Sequence, residues 1–349
     1  EGAIKAQDFE KAAALRDIDR RYGYIVDTHT ADGIKVGRDH REAGVPLICL
    51  ETALAAKFDA ASNVRDMDRE GVDVSVLFPT LGLYIMWRDN LDPELSAAIC
   101  RAYNTWLADY CSYDPKRLHG VCLVPLQDPA RAVEELKFAK EKLGHVGIFW
   151  RPNKLCGRTL ASPDYFPIYE TAADLGVAIC VHEGARTVLE QAGSDRYSEF
   201  GRHIACHPLE QMLASLNFCA DGVLEKIPKL KVAYLESGCG WVPFWLERMD
   251  EHWEHEGHGQ AKTTKEKPSY YFKRQCWASC EAGEELAPVF IEHVGDDYLT
   301  IATDYPHSDA IDKFPDKTVG AISSNNNISA ESRRKILWDN PTKTFGLGA

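Results

Sequence analysis

The sequence predicts an α/β fold, a single (β/α)₈ barrel. Two observations predict it. Short apolar runs alternate with helix-forming stretches along most of the chain, and titratable side chains collect where those runs end, which is where such a barrel keeps its chemistry. The candidate strands are Tyr24–His29, Val72–Phe78, Leu118–Val124, Val146–Phe149, Val177–Val181, Lys231–Leu235, Arg274–Ser279 and Leu299–Thr303. Most lack polar alternation, as strands covered on both faces should. Arg274–Ser279 is the poorest of them by propensity.

Between the runs lie helix-start signals. Asp92-Pro93, Asp128-Pro129 and Ser162-Pro163 each set a capping side chain before a proline suited to the first helical position. Ser329 caps a last helix expected to stop before Asn340-Pro341. Residues 1–20 are charged and read as a helical extension (Asp8 to Arg20), leaving 21–349 as one barrel. Residues 30–62 form a long insertion after the first strand, and Gly257–Lys267 an exposed loop.

Composition bounds the function. The 349 residues are 45% hydrophobic and 27% charged, enough apolar mass for one large core. The net charge of −13 argues against nucleic acid or an anionic membrane as partner. No apolar run approaches membrane-spanning length, and no signal-like apolar stretch opens the sequence. The eleven cysteines are an odd number scattered through apolar runs, which reads as reduced, buried thiols in a cytoplasmic protein. Phosphate loop, dinucleotide fingerprint and nucleophile elbow are all missing.

Four strand ends carry metal-ligand chemistry. The first strand ends Asp27-Thr28-His29, whose acid and imidazole point the same way in an extended chain. The others end His182-Glu183, Glu236-Ser237-Gly238 and Asp304-Tyr305-Pro306-His307. Singly, each has an ordinary explanation: a core histidine at His29, a loop cap at Asp27, an ion pair of Glu236 with Arg248 or Arg151, an Asx-turn at Asp304. Together, one bound cation accounts for all of them, since buried ionisable groups need partners. His207, before Pro208, reads equally as a ligand or a helix-entry residue, and Arg151 as a two-pronged clamp for a substrate carboxylate or the partner of a structural acid. Glu51 and the series His252, His255, His258 read as solvated. Ser237-Gly238-Cys239-Gly240 lets the backbone turn tightly beside the site.

These strand ends, with the stretch Lys231–Pro243 (KVAYLESGCGWVP), resemble the amidohydrolase superfamily, in the amidohydrolase-related branch that includes aminocarboxymuconate semialdehyde decarboxylase and the hydroxybenzoate decarboxylases. The resemblance runs from about Tyr22 to Phe345. It implies a metal-dependent barrel in which His29, His182 and Asp304 bind metal, with Asp27 where the decarboxylases have His or Glu. Two departures stand out: Glu236 replaces the histidine those decarboxylases use in catalysis, and the metal-bridging lysine of many hydrolytic members is absent where the chain reads Phe149-Trp150-Arg151.

A set of Asp27, His29, His182, His207, Glu236 and Asp304, with His307 nearby, exceeds what one tetrahedral zinc needs. Mixed carboxylates and imidazoles suit iron or manganese. The set resembles that of the small branch of this superfamily whose members are dinuclear non-haem iron or manganese–iron oxygenases acting on carboxylic acids, and this resemblance implies, as the leading expectation, an oxygenase that uses O₂ to hydroxylate or oxidatively decarboxylate a small carboxylic acid. In it Glu236 and His207 serve catalysis and Arg151 orients the substrate. The alternative is a mononuclear zinc or manganese enzyme, a non-oxidative decarboxylase or a C–C or amide hydrolase, with Glu236 or His207 as general acid/base. Tyr84, Trp87, Trp150 and Tyr305 permit an aromatic acid, and a homo- or hetero-oligomer is expected.

Overall fold

The computed structural model describes residues 58–79, 82–183, 192, 198–255, 263–305 and 319–347. The chain alternates α1 (Ala60–Glu70), β1 (Ser75–Leu77), α2 (Pro93–Cys111), β2 (Leu118–Cys122), α3 (Pro129–Glu141), β3 (Gly147–Trp150), α4 (Phe166–Leu175), β4 (Ala178–His182), α5 (Glu199–Cys219), β5 (Lys231–Leu235), α6 (Trp241–His255), α7 (Pro268–Gln275), β6 (Cys276–Cys280), α8 (Ala287–His293) and β7 (Leu299–Ile301). The seven strands pair in chain order, each parallel to the next. They match seven of the expected runs. The eighth, Tyr24–His29, lies outside the described residues, as do the expected 1–20 extension and Glu51.

The sheet curls. In a flat sheet, β1 and β4 would stand about 14 Å apart, three strand spacings. Instead Phe78, next after β1, stacks on His182 at the end of β4 with ring centroids 6.1 Å apart. The two open edges also approach: Tyr305, beyond β7, hydrogen-bonds Asp66 on α1 at 2.5 Å.

Local chemistry explains the elements. Asp92 and Asp128 cap α2 and α3 by accepting backbone N–H bonds, each with proline in the first turn. Ser162 starts only a short 3₁₀ turn and makes no capping bond. The expected strand at Arg274 begins two residues later, because Arg274 and Gln275 complete α7. Nor does the final helix stop at Asn340. Ser329 caps it as expected, but a π-helical turn over Lys335–Asp339 carries it through Pro341 to Phe345. The widened turn absorbs a residue that cannot donate its own hydrogen bond.

Four side-chain amides tie helices and loops to strand ends. Asn104 bonds both the N–H and the carbonyl of Leu123. Gln211 on α5 bridges the carbonyls of Val181 and Leu235 at 2.9 and 3.0 Å, joining β4 to β5 at the end that carries the titratable groups. Gln275 and Asn340 do the same lower down and at β7. The ten cysteines among the described residues are all free thiols, and nine are buried.

Candidate active site

Three of the strand ends singled out, those carrying His182, Glu236 and Asp304, lie at the same end of the parallel sheet. His182 is the last residue of β4 and pairs in register with Leu235, so Glu236 emerges beside it. His182 Nε2 and Glu236 Oε2 are 2.5 Å apart. His182 Nδ1 lies 2.7 Å from the backbone carbonyl of Glu183. A carbonyl only accepts, so Nδ1 carries the proton and Nε2 faces Glu236. Burial works against protonating this imidazole, but the charge and hydrogen bond of Glu236, the Glu183 carbonyl and the charge of Asp304 together raise its pKa.

Glu236 and Asp304 share an uncommon backbone. Their φ angles are 52° and 53°, two of four non-glycine residues in the left-handed region among those described. Such strain persists only where the surroundings over-determine it. At Glu236 they do. Its N–H donates to Ser279 Oγ at 3.3 Å, and its carbonyl accepts from His207 Nδ1 at 2.7 Å. Two residues on, Gly238 turns at φ 62°, and the N–H groups of Cys239 and Gly240 donate to Glu284 Oε1 at 2.8 and 3.0 Å. A Cβ at Gly238 would stand 2.9 Å from that carboxylate oxygen. Glycine here serves the tight turn expected of it.

His207 does not precede its helix. It lies inside α5, which starts at Ser198 and continues through Pro208. Burial lowers its pKa despite the opposing charge of Glu236, and its Nε2 is buried with no hydrogen-bond partner among the described residues.

Arg151 departs from the substrate-clamp expectation. Its guanidinium is 0% exposed and ion-paired with the equally buried Glu183 carboxylate. It also bonds Asn153 Oδ1 at 2.9 Å and the Leu83 carbonyl at 3.1 Å, while Asn153 Nδ2 donates to Glu183 Oε2 at 2.9 Å. A planar donor fork used up this way stiffens the barrel interior rather than meeting a substrate. Glu183 went unassigned in the sequence, although its position directly after a strand-end histidine was a usable signal. Behind this pair Glu210 on α5 is pushed up to about 7 by burial and accepts the Ala192 N–H.

The site wall is aromatic. Phe78 and Phe149 flank His182, the latter at 5.6 Å, and Trp87 packs edge-on against Phe149. Trp150 points the other way, into Tyr165 and Tyr169, and Tyr305 is tied to Asp66. Nothing is described of the Tyr84 side chain. His252 and His255 sit on the last turns of α6, away from these groups in sequence and fold, and His258 and His307 lie outside the described residues.

Among the described residues, no group of three or more His, Cys, Asp or Glu side chains is arranged to hold a metal ion. Of the six expected ligands, Asp27 and His29 lie outside the described residues, His182 and Glu236 face each other directly, and His207 spends Nδ1 on a backbone carbonyl. The donor chemistry nonetheless fits one divalent cation. His182 holds its Nδ1 proton on a carbonyl, as metal-bound histidines do, and turns Nε2 toward the Glu236 carboxylate. The charge of Asp304 reaches the same imidazole.

The amidohydrolase family profile matches residues 26–347, so the chain belongs to that family. It is 26% identical over 291 residues to 2-amino-3-carboxymuconate-6-semialdehyde decarboxylase of Dictyostelium discoideum, covering 83% of this chain and 77% of that one. It is 25% identical over 305 residues to gamma-resorcylate decarboxylase of a Polaromonas strain, covering 82% and 86%. Among solved structures, 2,6-dihydroxybenzoate decarboxylase complexed with 2,6-dihydroxybenzoate superposes with a TM-score of 0.71 at 21% identity, over 92% of this chain and 96% of that one. A dihydroxybenzoic acid decarboxylase from Polaromonas, with bound manganese and 2-nitroresorcinol, gives 0.69 at 21% over 93% and 94%. The likeness supports the α/β barrel type; among the described residues the barrel is open between β7 and β1. No helix among them is long and apolar enough to cross a membrane.

Proposed function

We propose that this protein is a metal-dependent, non-oxidative decarboxylase of a small aromatic or conjugated carboxylic acid. The observation that carries the reading is the contact of Glu236 with His182 Nε2 at adjacent strand ends. It sets a carboxyl group that can take up a proton from solvent and pass it on beside a residue that would hold the cation. The similarity to decarboxylases supports it, as does the aromatic wall of Phe78, Phe149 and Trp87. The dinuclear oxygenase expected from the number of ligands is set aside, because the named relatives are decarboxylases.

His182 and Asp304, with Asp27 and His29, would hold one divalent cation, manganese being the ion bound in three similar structures. When bound, such an ion supplies Lewis-acid polarisation of the substrate's oxygens. The chain's own groups do the rest. Phe78 and Phe149 exclude water and favour a flat ring. Glu236 as the acid gives a proton to the ring carbon that bears the carboxylate. The C–C bond to that carboxylate then breaks, its electron pair restores the ring, and CO₂ departs. The Glu236 side chain is 21% exposed, so solvent returns the proton. His207 holds the Glu236 backbone and so aims the carboxyl.

The test is a strictly anaerobic incubation of manganese-loaded enzyme with a panel of hydroxybenzoates in D₂O. The expected result is one CO₂ released per substrate consumed and one deuterium at the vacated carbon. Turnover that needs O₂ and consumes it in proportion to product overturns the reading.

A further inference from the structure

Asp304 holds its left-handed backbone (φ 53°) three residues beyond the last strand. The residue after it is anchored elsewhere. The Tyr305 hydroxyl donates to Asp66 Oδ2 at 2.5 Å, across 239 positions of sequence. Asp66 is 4% exposed on α1, and its other oxygen accepts from Arg69 Nη1 at 3.2 Å, so each carboxylate oxygen has its own donor. The Tyr305 N–H reaches back to Thr303 Oγ1 at 3.4 Å. The segment carrying Asp304 is thus held from both sides, and one of its anchors lies on the element that precedes β1, across the open side of the sheet.

We propose that Tyr305 is a positioning residue: its bond to Asp66 locks the backbone of Asp304 and presents the Asp304 carboxylate to the cation site shared with His182. The inference rests on the reading of Asp304 as a metal ligand. Its physical basis is that a strained backbone relaxes unless a neighbouring contact opposes it, and groups that orient a ligand set metal affinity without touching the metal. A phenylalanine at 305 fills the same space and removes only the hydroxyl. Asparagine at 66 keeps an acceptor oxygen, and alanine keeps none.

Two readouts test this on the full chain: Mn²⁺ affinity from the EPR signal of free Mn²⁺, and amide hydrogen exchange of residues 299–305 in metal-free protein. Tyr305→Phe and Asp66→Ala should each weaken Mn²⁺ binding roughly ten- to a hundredfold and speed exchange in that segment, while Asp66→Asn stays near wild type. The double variant Tyr305→Phe/Asp66→Ala should be no worse than the worse single, because both break one bond. Unchanged affinity and exchange in Tyr305→Phe overturn the proposal, as do penalties that add in the double variant. A wild-type protein that binds no Mn²⁺ sinks the metal reading instead; the exchange measurement still judges the tether.

Discussion

At the scale of single residues, Glu236 separates the two chemistries. As a ligand of a second ion, it would take metal content down with it when altered. As the proton donor of a mononuclear decarboxylase, it acts on the substrate and leaves the cation in place. Glu236→Gln keeps the shape and removes the acid. The expected outcome is about one equivalent of metal retained and kcat lowered about 10²- to 10⁴-fold, the usual worth of a positioned general acid. Metal analysis alongside steady-state kinetics reads both. Metal loss parallel to activity loss would restore the two-ion reading.

At the scale of elements, the turn after β5 does the positioning. Gly238 lets Glu236, two residues earlier, keep its own left-handed conformation while Glu284 gathers the Cys239 and Gly240 N–H groups. Alanine there meets two penalties: a backbone that disfavours any Cβ by about 1–2 kcal/mol, and a Cβ only 2.9 Å from Glu284 Oε1. Gly238→Ala should therefore lower unfolding stability by at least that amount in urea titration and depress kcat further than the stability loss explains, since the displaced loop carries Glu236. A variant with wild-type kcat would show that this turn does not aim the site.

At the scale of the molecule, the buried Arg151–Glu183 pair joins β3 to β4 behind the site and fixes the carbonyl that sets the His182 tautomer. Removing one member strands a charge with no water to receive it. Arg151→Met should cost about 3–5 kcal/mol of unfolding free energy, whereas Arg151→Met with Glu183→Leu should recover most of that. Equilibrium denaturation of both variants measures the difference. If the single variant is as stable as wild type, the pair is not the interior brace described here.

Much of this was legible from residue order. Strand runs buried on both faces announce themselves as apolar stretches, and seven were read close to their observed bounds; aspartates before prolines marked the starts of α2 and α3 because capping is local chemistry. His182, Glu236 and Asp304 stand out in the sequence because a titratable group at a strand end is costly without a partner. What the sequence alone left open depended on neighbours distant in the chain. Arg151 stood equally for a substrate clamp and a structural pair until Glu183 met it across β3 and β4. His207 stood equally for a ligand and a helix-entry residue, the latter because proline usually opens a helix; Ser198 opens this one instead. The tie of Tyr305 to Asp66 had no local signal at all, since only the curl of the sheet brings residues 239 positions apart within a hydrogen bond.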